Sequence, residues 1–406
     1  MRKTVPVGEL KFGMYVAELD RPWTDTPFKF QGFVLENQEQ IEILQQHCKL
    51  VFVDPDRSEV LAKLPDSTLM PMKSALDLSR TKVKKYAERA PIEQEFVTAV
   101  REHAAGAAAL NEAVLAPLKA GGTLDAQRVN EAVNGLTASV LRNPDAMLLF
   151  TQLKAKGDYT QSHALDCSVY MTVFGRFLEM SPEDIALLGH LGLLQDVGKV
   201  RVPTALIEKR ERLAEEELAA LRKHVEHSAE ILRETSHLPG SLPELALLHH
   251  ERHDGSGYPR KLKSREIGLI GSIAGIVDTF AALTARRPYA EALAPSTALS
   301  ILYKHRGTLL DGFLVEQFIR CIGIFPLGSV VELNNGETGI VIAQNLAKRL
   351  LPRIMVVRDA AGNPLKPQKL IDLSREPKTA SGEPYRIRRT LEYGRVPVQA
   401  ETLFAA

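Results

Sequence analysis

The stretch His249–Pro259 reads HHERHDGSGYP and constrains the fold more than any other part of the chain. Adjacent side chains on a helix point about 100° apart, so His249 and His250 can share one ion only near a helix end or at the bottom of a shared cavity. The two glycines and Pro259 then end the helix in a tight loop. Imidazoles beside the carboxylate of Glu251 suit a borderline transition metal, although two histidines packed at an ordinary helix end would give the same sequence.

Composition excludes several classes of protein. The chain of 406 residues is long enough for two or three domains, and its 51 lysines and arginines nearly balance its 50 aspartates and glutamates. Bulk charge therefore predicts neither nucleic-acid binding nor attraction to a membrane. Cys48, Cys167 and Cys321 are odd in number and far apart, which argues against disulfides and favours a reducing cytoplasm. Residues 1–13 lack the apolar core of a signal peptide, and the longest apolar stretch, 269–285, is too short and too polar to span a bilayer.

Hydrophobic periodicity predicts a mainly α protein with a small mixed unit at one end and a small β unit at the other. The predicted order is a mixed α/β regulatory domain over 1–65, a linker and helical connector over 66–145, a helical bundle over 146–322, a β unit over 323–375 and a poorly ordered tail over 376–406. The connector has Ala, Leu and Val at three- and four-residue steps. The same pattern is typical of a dimerisation stalk, so a homodimer is left open.

Individual elements follow from the same patterns. In the first domain we predict strands at Val5–Val7, Met14–Ala17, Phe33–Leu35 and Leu50–Val53 around a helix at Gln38–His47. In the connector and bundle we predict helices at Ile92–Ala116, Asp125–Leu141, Ala146–Leu153, Thr160–Leu178, Pro182–Leu194, Glu215–Thr235, Pro243–His250, Ile267–Leu283, Ser296–His305 and Gly312–Cys321. After Phe325 the period changes to two, and we predict strands at Gly328–Leu333, Thr338–Gln344 and Arg353–Arg358.

Polar residues able to bind metals recur at otherwise apolar positions of the predicted bundle. They are His163, Gln195, Asp196, His224, His249, His250 and Asp278. One buried histidine is more often a satisfied core residue than a ligand, but several of them with two aspartates on separate helices favour one shared, inward-facing metal site. Aspartate is the natural bridge between two ions, and a dinuclear site holds a phosphodiester and activates a water for its hydrolysis.

This set of residues resembles the HD-GYP family, a branch of the HD metal-dependent phosphohydrolases, across residues 150–322. The family motif HHExxDGxGYP is matched at every defined position, by His249, His250, Glu251, Asp254, Gly255, Gly257, Tyr258 and Pro259. Further matches stand at Asp196–Lys199, Pro203, His224, Asp278, Ala282–Thr284 and Arg287–Tyr289. Residues 1–60 resemble the small domain of unknown function that often precedes HD-GYP domains in bacteria. The resemblance implies an HD-type helical bundle and cyclic di-GMP phosphodiesterase activity with iron or manganese ions at the bundle core.

The resemblance also implies a role for each matching residue. The implied ligands of two divalent ions are His163, Asp196, His224, His249, His250 and Asp278, with Asp196 as the bridge. Lys199, on the face of Gln195 if that helix continues, would aid protonation or hold the phosphate. Arg287 would hold a phosphate of the dinucleotide, for which a fixed guanidinium fork is suited. Tyr258 would line the substrate pocket, and its loop is implicated, in the family, in contacts with diguanylate cyclase domains.

Three positions depart from the family pattern. Gln195 stands in place of the histidine of the HD pair, and its neutral carbonyl oxygen is a poorer ligand than imidazole, so one ion is expected to be held weakly or lost. Members with a third metal carry a glutamate where this chain has Tyr159, so at most two ions are expected. Ala290 replaces the lysine that commonly follows the RPY step, which removes one cation from the phosphate contacts.

Hypotheses of different classes stay open. The main hypothesis is a cytoplasmic bacterial enzyme that binds cyclic di-GMP and hydrolyses it through a metal-activated water to pGpG, GMP or both. The three departures also motivate a degenerate member that senses cyclic di-GMP, or acts as a scaffold, without turnover. An HD phosphohydrolase acting on ordinary nucleotides is a third hypothesis. Neither DNA nor a membrane is expected as a partner.

Overall fold

A computed structural model describes residues 3–20, 33–35, 38–54, 86, 89–153, 159–209, 211, 213–285, 292–345, 348 and 350–391. Contacts divide the chain into two compact units, Met1–Val83 and Lys84–Ala406. The described parts are mainly helical with a small sheet in each unit, which confirms the predicted fold class. Most of the predicted linker, and the tail beyond residue 391, lie outside the described residues. The domain boundaries therefore stay a prediction.

The first unit is an antiparallel sheet packed with a helix. Its described strands are β1 (Lys3–Pro6), β2 (Tyr15–Leu19), β3 (Phe33–Val34) and β4 (Leu50–Asp54), in the order β1-β4-β2-β3, and helix α1 spans Gln38–His47. Val16 and Val51 from the sheet and Leu44 from the helix are fully buried together. Alternation along the strands and the three-residue step from Ile41 to Leu44 produce this core, as the sequence predicts.

The second unit is a helical bundle followed by a sheet. Its first helical elements are α2 (Ile92–Ala109), a π-helical turn (Leu110–Leu115), α3 (Ala116–Lys119), α4 (Ala126–Arg142) and α5 (Pro144–Leu153). The next are α6 (Tyr159–Phe177), α7 (Pro182–Leu194), α8 (Thr204–Ile207), α9 (Glu215–Arg222), α10 (His224–Glu234), α11 (Leu242–Ala246), α12 (Gly268–Thr284), α13 (Pro295–Lys304) and α14 (Gly312–Ile322). No helix in the described part of the chain is long and apolar enough to cross a membrane.

Helix α7 has the bounds that the sequence predicts. The Ser181 hydroxyl accepts from the Asp184 amide at 3.0 Å, and Pro182 takes the first helical position. Both are local signals for a helix start, because a side-chain oxygen satisfies a free amide and proline has none to satisfy. The helix ends at Leu194, so the next two residues, Gln195 and Asp196, leave it at its carboxyl end.

Two other predicted helices are shorter than expected. The helix predicted over Glu215–Thr235 is broken at Lys223 into α9 and α10. The helix predicted over Pro243–His250 ends at Ala246, and a turn carries the two histidines. A turn allows neighbouring side chains to point the same way, whereas a continuing helix would separate them by about 100°.

One apolar core joins the helices before residue 146 to those after it. Phe96 of α2, Val133 of α4, Leu194 of α7 and Phe280 of α12 are all buried within it. The sequence predicts a connector before residue 146, but the apolar stripes of α2 and α4 face the bundle. An amphipathic helix is stabilised by burying its stripe, and the bundle provides the surface that does so.

The C-terminal sheet contains strands that the sequence does not predict. Its described strands are β5 (Val330–Leu333), β6 (Thr338–Ala343), β7 (Arg353–Arg358), β8 (Pro364–Asp372) and β9 (Ile387–Thr390), antiparallel in the order β8-β7-β6-β5-β9. The tail over 376–406 is predicted to be poorly ordered, yet β9 belongs to it and pairs with β5. Arg388 and Arg389 contact Glu332 at 3.0 and 2.6 Å. Two basic residues of this segment therefore pair with an acid on the sheet.

Candidate metal centre

Side chains from separate elements meet in one buried pocket of the bundle. His163 lies on α6, Asp196 follows α7, His224 begins α10, His249 and His250 lie in the turn after α11, and Asp278 lies on α12. Their ligand atoms form two groups, each with its atoms within 4.8 Å of one another: Asp196, His224, His249 and His250, and His163, Cys167 and Asp278. The fold brings all of the predicted ligands together.

Asp196 lies at the centre of this arrangement. Its Oδ1 is 3.2 Å from His224 Nε2 and 3.6 Å from His249 Nε2, and its Oδ2 is 3.5 Å from His163 Nε2. Lys199 Nζ donates to Oδ2 at 2.7 Å. Burial alone would raise the pKa of Asp196, but the Lys199 ammonium, followed by the His163 side chain, outweighs burial and holds the pKa well below its usual value. The carboxylate is therefore ionised. Its Oδ1 faces His224 and His249, and its Oδ2 faces His163 and Lys199.

Lys199 reaches Asp196 by a route that differs from the predicted one. The sequence places Lys199 on the face of Gln195 if α7 continues. The helix ends first, and Val197–Arg201 forms a 3-10 turn. Side chains three residues apart eclipse one another in such a turn, which explains the contact of Lys199 with Asp196.

Asp278 faces the second group of side chains. Its Oδ1 is 3.0 Å from His163 Nε2 and 3.4 Å from the Gln195 side-chain nitrogen, and its Oδ2 is 3.8 Å from His250 Nδ1. Burial would raise the pKa of Asp278, but the hydrogen bond with the His163 side chain outweighs burial and holds the pKa far below its usual value. Burial and the neighbouring His249 lower the pKa of His250 well below its usual value. His250 is therefore a neutral imidazole, which is the form that ligates metals.

The hydrogen bonds of two histidines leave their inner nitrogens aimed at Asp196. His224 Nδ1 lies 2.7 Å from the Leu221 carbonyl oxygen, and His249 Nδ1 lies 2.8 Å from that of Ala246. A carbonyl oxygen only accepts, so each Nδ1 donates and each Nε2 of the neutral ring carries a lone pair. Both lone pairs face Asp196 Oδ1, and none of these three atoms has a hydrogen-bond partner among the described residues. Three buried acceptors that face one another need a cation between them, so this donor set fits a divalent metal ion.

Gly198 allows the turn that carries Asp196 to approach α10 closely. Its amide donates to Ser228 Oγ at 2.8 Å. A Cβ at this position would overlap the His224 carbonyl oxygen and the Ser228 amide nitrogen. The missing side chain of Gly198 is therefore part of what places Asp196 beside His224.

Glu251 organises the loop that follows the two histidines. Its carboxylate accepts from the Arg260 amide at 2.7 Å and the Leu262 amide at 3.0 Å, and the residue is only 3% exposed. A Cβ at Gly257 would overlap the backbone of Glu251 and Arg252, so the loop folds back directly onto the chain that precedes it. The sequence places the Glu251 carboxylate beside the imidazoles as a group suited to a metal, whereas in the structure the carboxylate binds backbone amides of the loop.

Tyr258 of this loop lies beside a candidate ligand. Its ring stacks on His250 with centroids 4.8 Å apart and an interplanar angle of 28°, and the Arg222 guanidinium lies 4.9 Å from the Tyr258 ring centroid. The loop thus holds an aromatic ring at the edge of the cluster of imidazoles. The predicted contact of Tyr258 with a substrate is compatible with this position and remains a prediction.

Gln195 occupies the position of the HD histidine. Its side chain is only 1% exposed, its nitrogen faces Asp278, and its Oε1 has no hydrogen-bond partner in the described part of the chain. Arg287 and Ala290 lie outside the described residues, and the side chain of Tyr159 is not described. The expected phosphate contact of Arg287 therefore stays a prediction.

Cys167 is the residue of this pocket that sequence reasoning missed. Cys167 is fully buried, as a small core residue would be, and its Sγ lies 3.6 Å from His163 Nε2. Burial raises the pKa of the thiol to about 11, so it is no nucleophile by itself. The available signal was its spacing, because a residue four positions after His163 on a helix shares its face.

Comparisons with known families match most of the chain in three pieces. An HD domain family matches residues 146–314. A domain of unknown function, DUF3391, matches residues 2–129, and a KOW domain associated with HD domains matches residues 330–380. The match to DUF3391 is longer than the resemblance over residues 1–60 and includes helix α2.

Curated relatives share these pieces to different extents. The cyclic di-GMP phosphodiesterase PA4108 of Pseudomonas aeruginosa is 29% identical over 385 residues, which cover 93% of this chain and 91% of the relative. The 3'3'-cGAMP-specific phosphodiesterase 3 of Vibrio cholerae is 34% identical over 172 residues, or 42% of this chain and 37% of the relative. A solved structure of Bd1817, a HDG"Y"P protein from Bdellovibrio bacteriovorus, is 12% identical with a TM-score of 0.44 and covers 78% of this chain and 98% of its own.

The helical bundle with histidines and aspartates converging from separate helices defines the central part of the chain as an HD domain. Within the HD domain proteins, the motif from His249 to Pro259 is the one found in the HD-GYP branch. The chain is also similar to PA4108 over most of its length. The chain resembles the HD-GYP family in this motif, and its HD domain match follows a DUF3391 match and precedes a KOW domain match.

Proposed function

We propose that this protein is a metal-dependent phosphodiesterase that hydrolyses cyclic di-GMP to pGpG, GMP or both. The proposal rests on three buried acceptors that face one another, Asp196 Oδ1, His224 Nε2 and His249 Nε2. None of them has a hydrogen-bond partner among the described residues. In the proposal two divalent ions, iron or manganese, are held by His163, Asp196, His224, His249, His250 and Asp278, with Asp196 between them. The name of the relative that spans nearly the whole chain, PA4108, supports the substrate.

When bound, a pair of divalent ions supplies Lewis acidity to a phosphodiester and lowers the pKa of a water. Asp196 and Asp278 stay ionised in the buried pocket and hold the positive charge in place. Lys199 Nζ contacts Asp196 from a position where 19% of the lysine side chain is exposed, so it can also donate a proton or a hydrogen bond to an oxygen of the substrate. Tyr258 offers a ring beside His250 for packing against a nucleotide. Arg287 enters the proposal through the motif alone.

Replacement of His249 by alanine tests the proposal. Full-length protein is purified without oxygen, loaded with iron(II) or manganese, and assayed with cyclic di-GMP and, separately, with 3'3'-cGAMP. We expect cyclic di-GMP to be hydrolysed and the variant to be at least about 100-fold slower, because one donor of a cooperative cluster is lost. His227→Ala is the matched control, since this histidine lies on α10 with a 30% exposed side chain directed to Glu230. Turnover no greater than that of His249→Ala would overturn the proposal, and a preference for 3'3'-cGAMP would change its substrate.

A second candidate function, a sensor without turnover, is favoured by one observation: a glutamine stands where the family has a ligand histidine. Gln195→His decides between the two. We expect both proteins to form product, with the variant faster by roughly 10- to 100-fold, because imidazole binds borderline metals better than an amide oxygen. Gln195→Leu, of similar volume and without a donor atom, controls for packing. Product from the variant and none from the wild type would support the sensor.

A further inference from the structure

Cys167 lies within the second group of candidate ligands. On α6 it follows His163 by one turn, and its fully buried Sγ lies 3.6 Å from His163 Nε2. The same Nε2 lies 3.0 Å from Asp278 Oδ1. Sγ, a ring nitrogen and a carboxylate oxygen of these three residues are within 4.8 Å of one another.

These separations match those of atoms that share one metal ion. For metal–sulfur and metal–nitrogen distances of about 2.3 and 2.1 Å, two ligand atoms at a tetrahedral angle lie about 3.6 Å apart. The observed distance from Cys167 Sγ to His163 Nε2 is 3.6 Å. A nitrogen and an oxygen ligand lie about 3.4 Å apart by the same geometry, and the observed pair from His163 to Asp278 is 3.0 Å apart. A small adjustment at Asp278 would complete the arrangement.

Gln195 supplies an independent indication that a ligand belongs here. Its Oε1 is buried and has no hydrogen-bond partner within the described ranges, while its nitrogen faces Asp278 Oδ1 at 3.4 Å. An amide oxygen carries no charge. A divalent ion held by His163, Asp278 and Gln195 would have one full negative charge among these ligands, besides its share of Asp196, which lies between the two proposed ions. A thiolate would add a second charge and bring the buried ion close to neutrality.

We propose that Cys167 is a metal ligand of this centre and that its thiolate, with His163 and Asp278, supplies the donor that Gln195 does not. Binding of the ion releases the thiol proton to solvent, so one metal–sulfur bond replaces one sulfur–hydrogen bond without a change of oxidation state. Sulfur ligation favours a softer divalent ion, zinc or iron(II), over manganese at this position. The inference rests on the metal centre proposed above and deepens it.

Cobalt(II) reports sulfur ligation directly, because a thiolate bound to cobalt gives an intense near-ultraviolet charge-transfer absorption that oxygen and nitrogen ligands do not give. The full-length apoprotein is titrated with cobalt(II) without oxygen, and bound cobalt is measured in parallel. We expect the band to grow with one of two bound equivalents in the wild type and to be missing in Cys167→Val. The Kd of that equivalent should rise at least about tenfold in the variant, since even the loss of an indirect partner of a metal costs 10- to 100-fold.

Two further variants make the result specific. Cys48→Val changes a buried cysteine of the first unit in the same way, and it should keep the band. Cys167→Ser keeps the size of the side chain and should bind cobalt without the band. Cobalt bound by the wild type without the band would overturn the role of Cys167 and leave the proposed dinuclear site intact. A wild type that binds no cobalt would overturn both, and an equal band in Cys167→Val would assign the sulfur elsewhere.

Discussion

Replacement of Asp196 by asparagine should remove both ions and reduce hydrolysis by at least about 10³-fold, because residues that act as a unit lose most of their effect together. Oδ1 of Asp196 lies 3.2 Å from His224 and Oδ2 lies 3.5 Å from His163, so this carboxylate is shared by both groups of side chains. An amide group puts hydrogens where one of these oxygens stands and removes the charge that offsets a cation. Metal analysis and the cyclic di-GMP assay measure the two effects separately.

Asp184→Asn is the matched control for that substitution. Asp184 lies in the first turn of α7, the helix that Asp196 follows, and is exposed. The same chemical change there should leave metal content and turnover as they are. An Asp196→Asn protein that kept two ions, or that hydrolysed its substrate at the wild-type rate, would contradict the assignment of Asp196 as the shared ligand.

Gly198→Ala should lower the free energy of unfolding by about 3 kcal/mol, the upper end of the range of about 1–3 kcal/mol that overpacking typically costs, because the contact is with rigid backbone. The added methyl group would overlap backbone atoms of His224 and Ser228, which cannot rotate away as the end of a long side chain can. The 3-10 turn must therefore separate from α10. Asp196 and His224 would move apart with it, and the metal would be bound more weakly. Urea unfolding of the apoprotein measures the effect on stability without a contribution from metal.

Gly240→Ala makes the same change where there is room. A Cβ at Gly240 would meet nothing within 4 Å, and its effect on the free energy of unfolding should be within about 0.5 kcal/mol. Equal unfolding curves for the two variants would show that the close approach at Gly198 is not required. A loss of stability at Gly198 alone would tie the position of Asp196 to the contact between this turn and α10.

Local signals in the sequence were sufficient for much of the fold. The bounds of α7 follow from Ser181 and Pro182, and the strand Arg353–Arg358 follows from its apolar centre. The break at Lys223 has no such signal, because no glycine or proline marks it and contacts with the rest of the bundle decide it. Strand β9 was missed for a different reason, since an exposed edge strand carries little apolar pattern.

The sequence predicts which residues form the candidate site better than it predicts how they are arranged. A histidine or an aspartate at an apolar position of a helix needs a reason to be there, and this indicated His163 and Asp278. Nothing in the spacing of distant residues indicates which side chain stands next to which. The spacing of Cys167 and His163 on one helix indicates their contact, but it does not indicate that Asp278, on a helix more than a hundred residues later, lies beside them.

The pairing of β9 with β5 changes which strand forms the edge of the C-terminal sheet. An open strand edge presents unpaired amides and carbonyls that another chain can extend into an aggregate. Here β5, which is largely buried, has β6 on one side, and Ile387–Thr390 covers the other with a strand rich in arginine. Arg388 and Arg389 of β9 pair with Glu332 of β5 and remain exposed, so the edge formed by β9 carries charged side chains, which edge strands use to resist edge-to-edge pairing. The segment that the sequence predicts to be poorly ordered thus covers β5 with a charged edge strand.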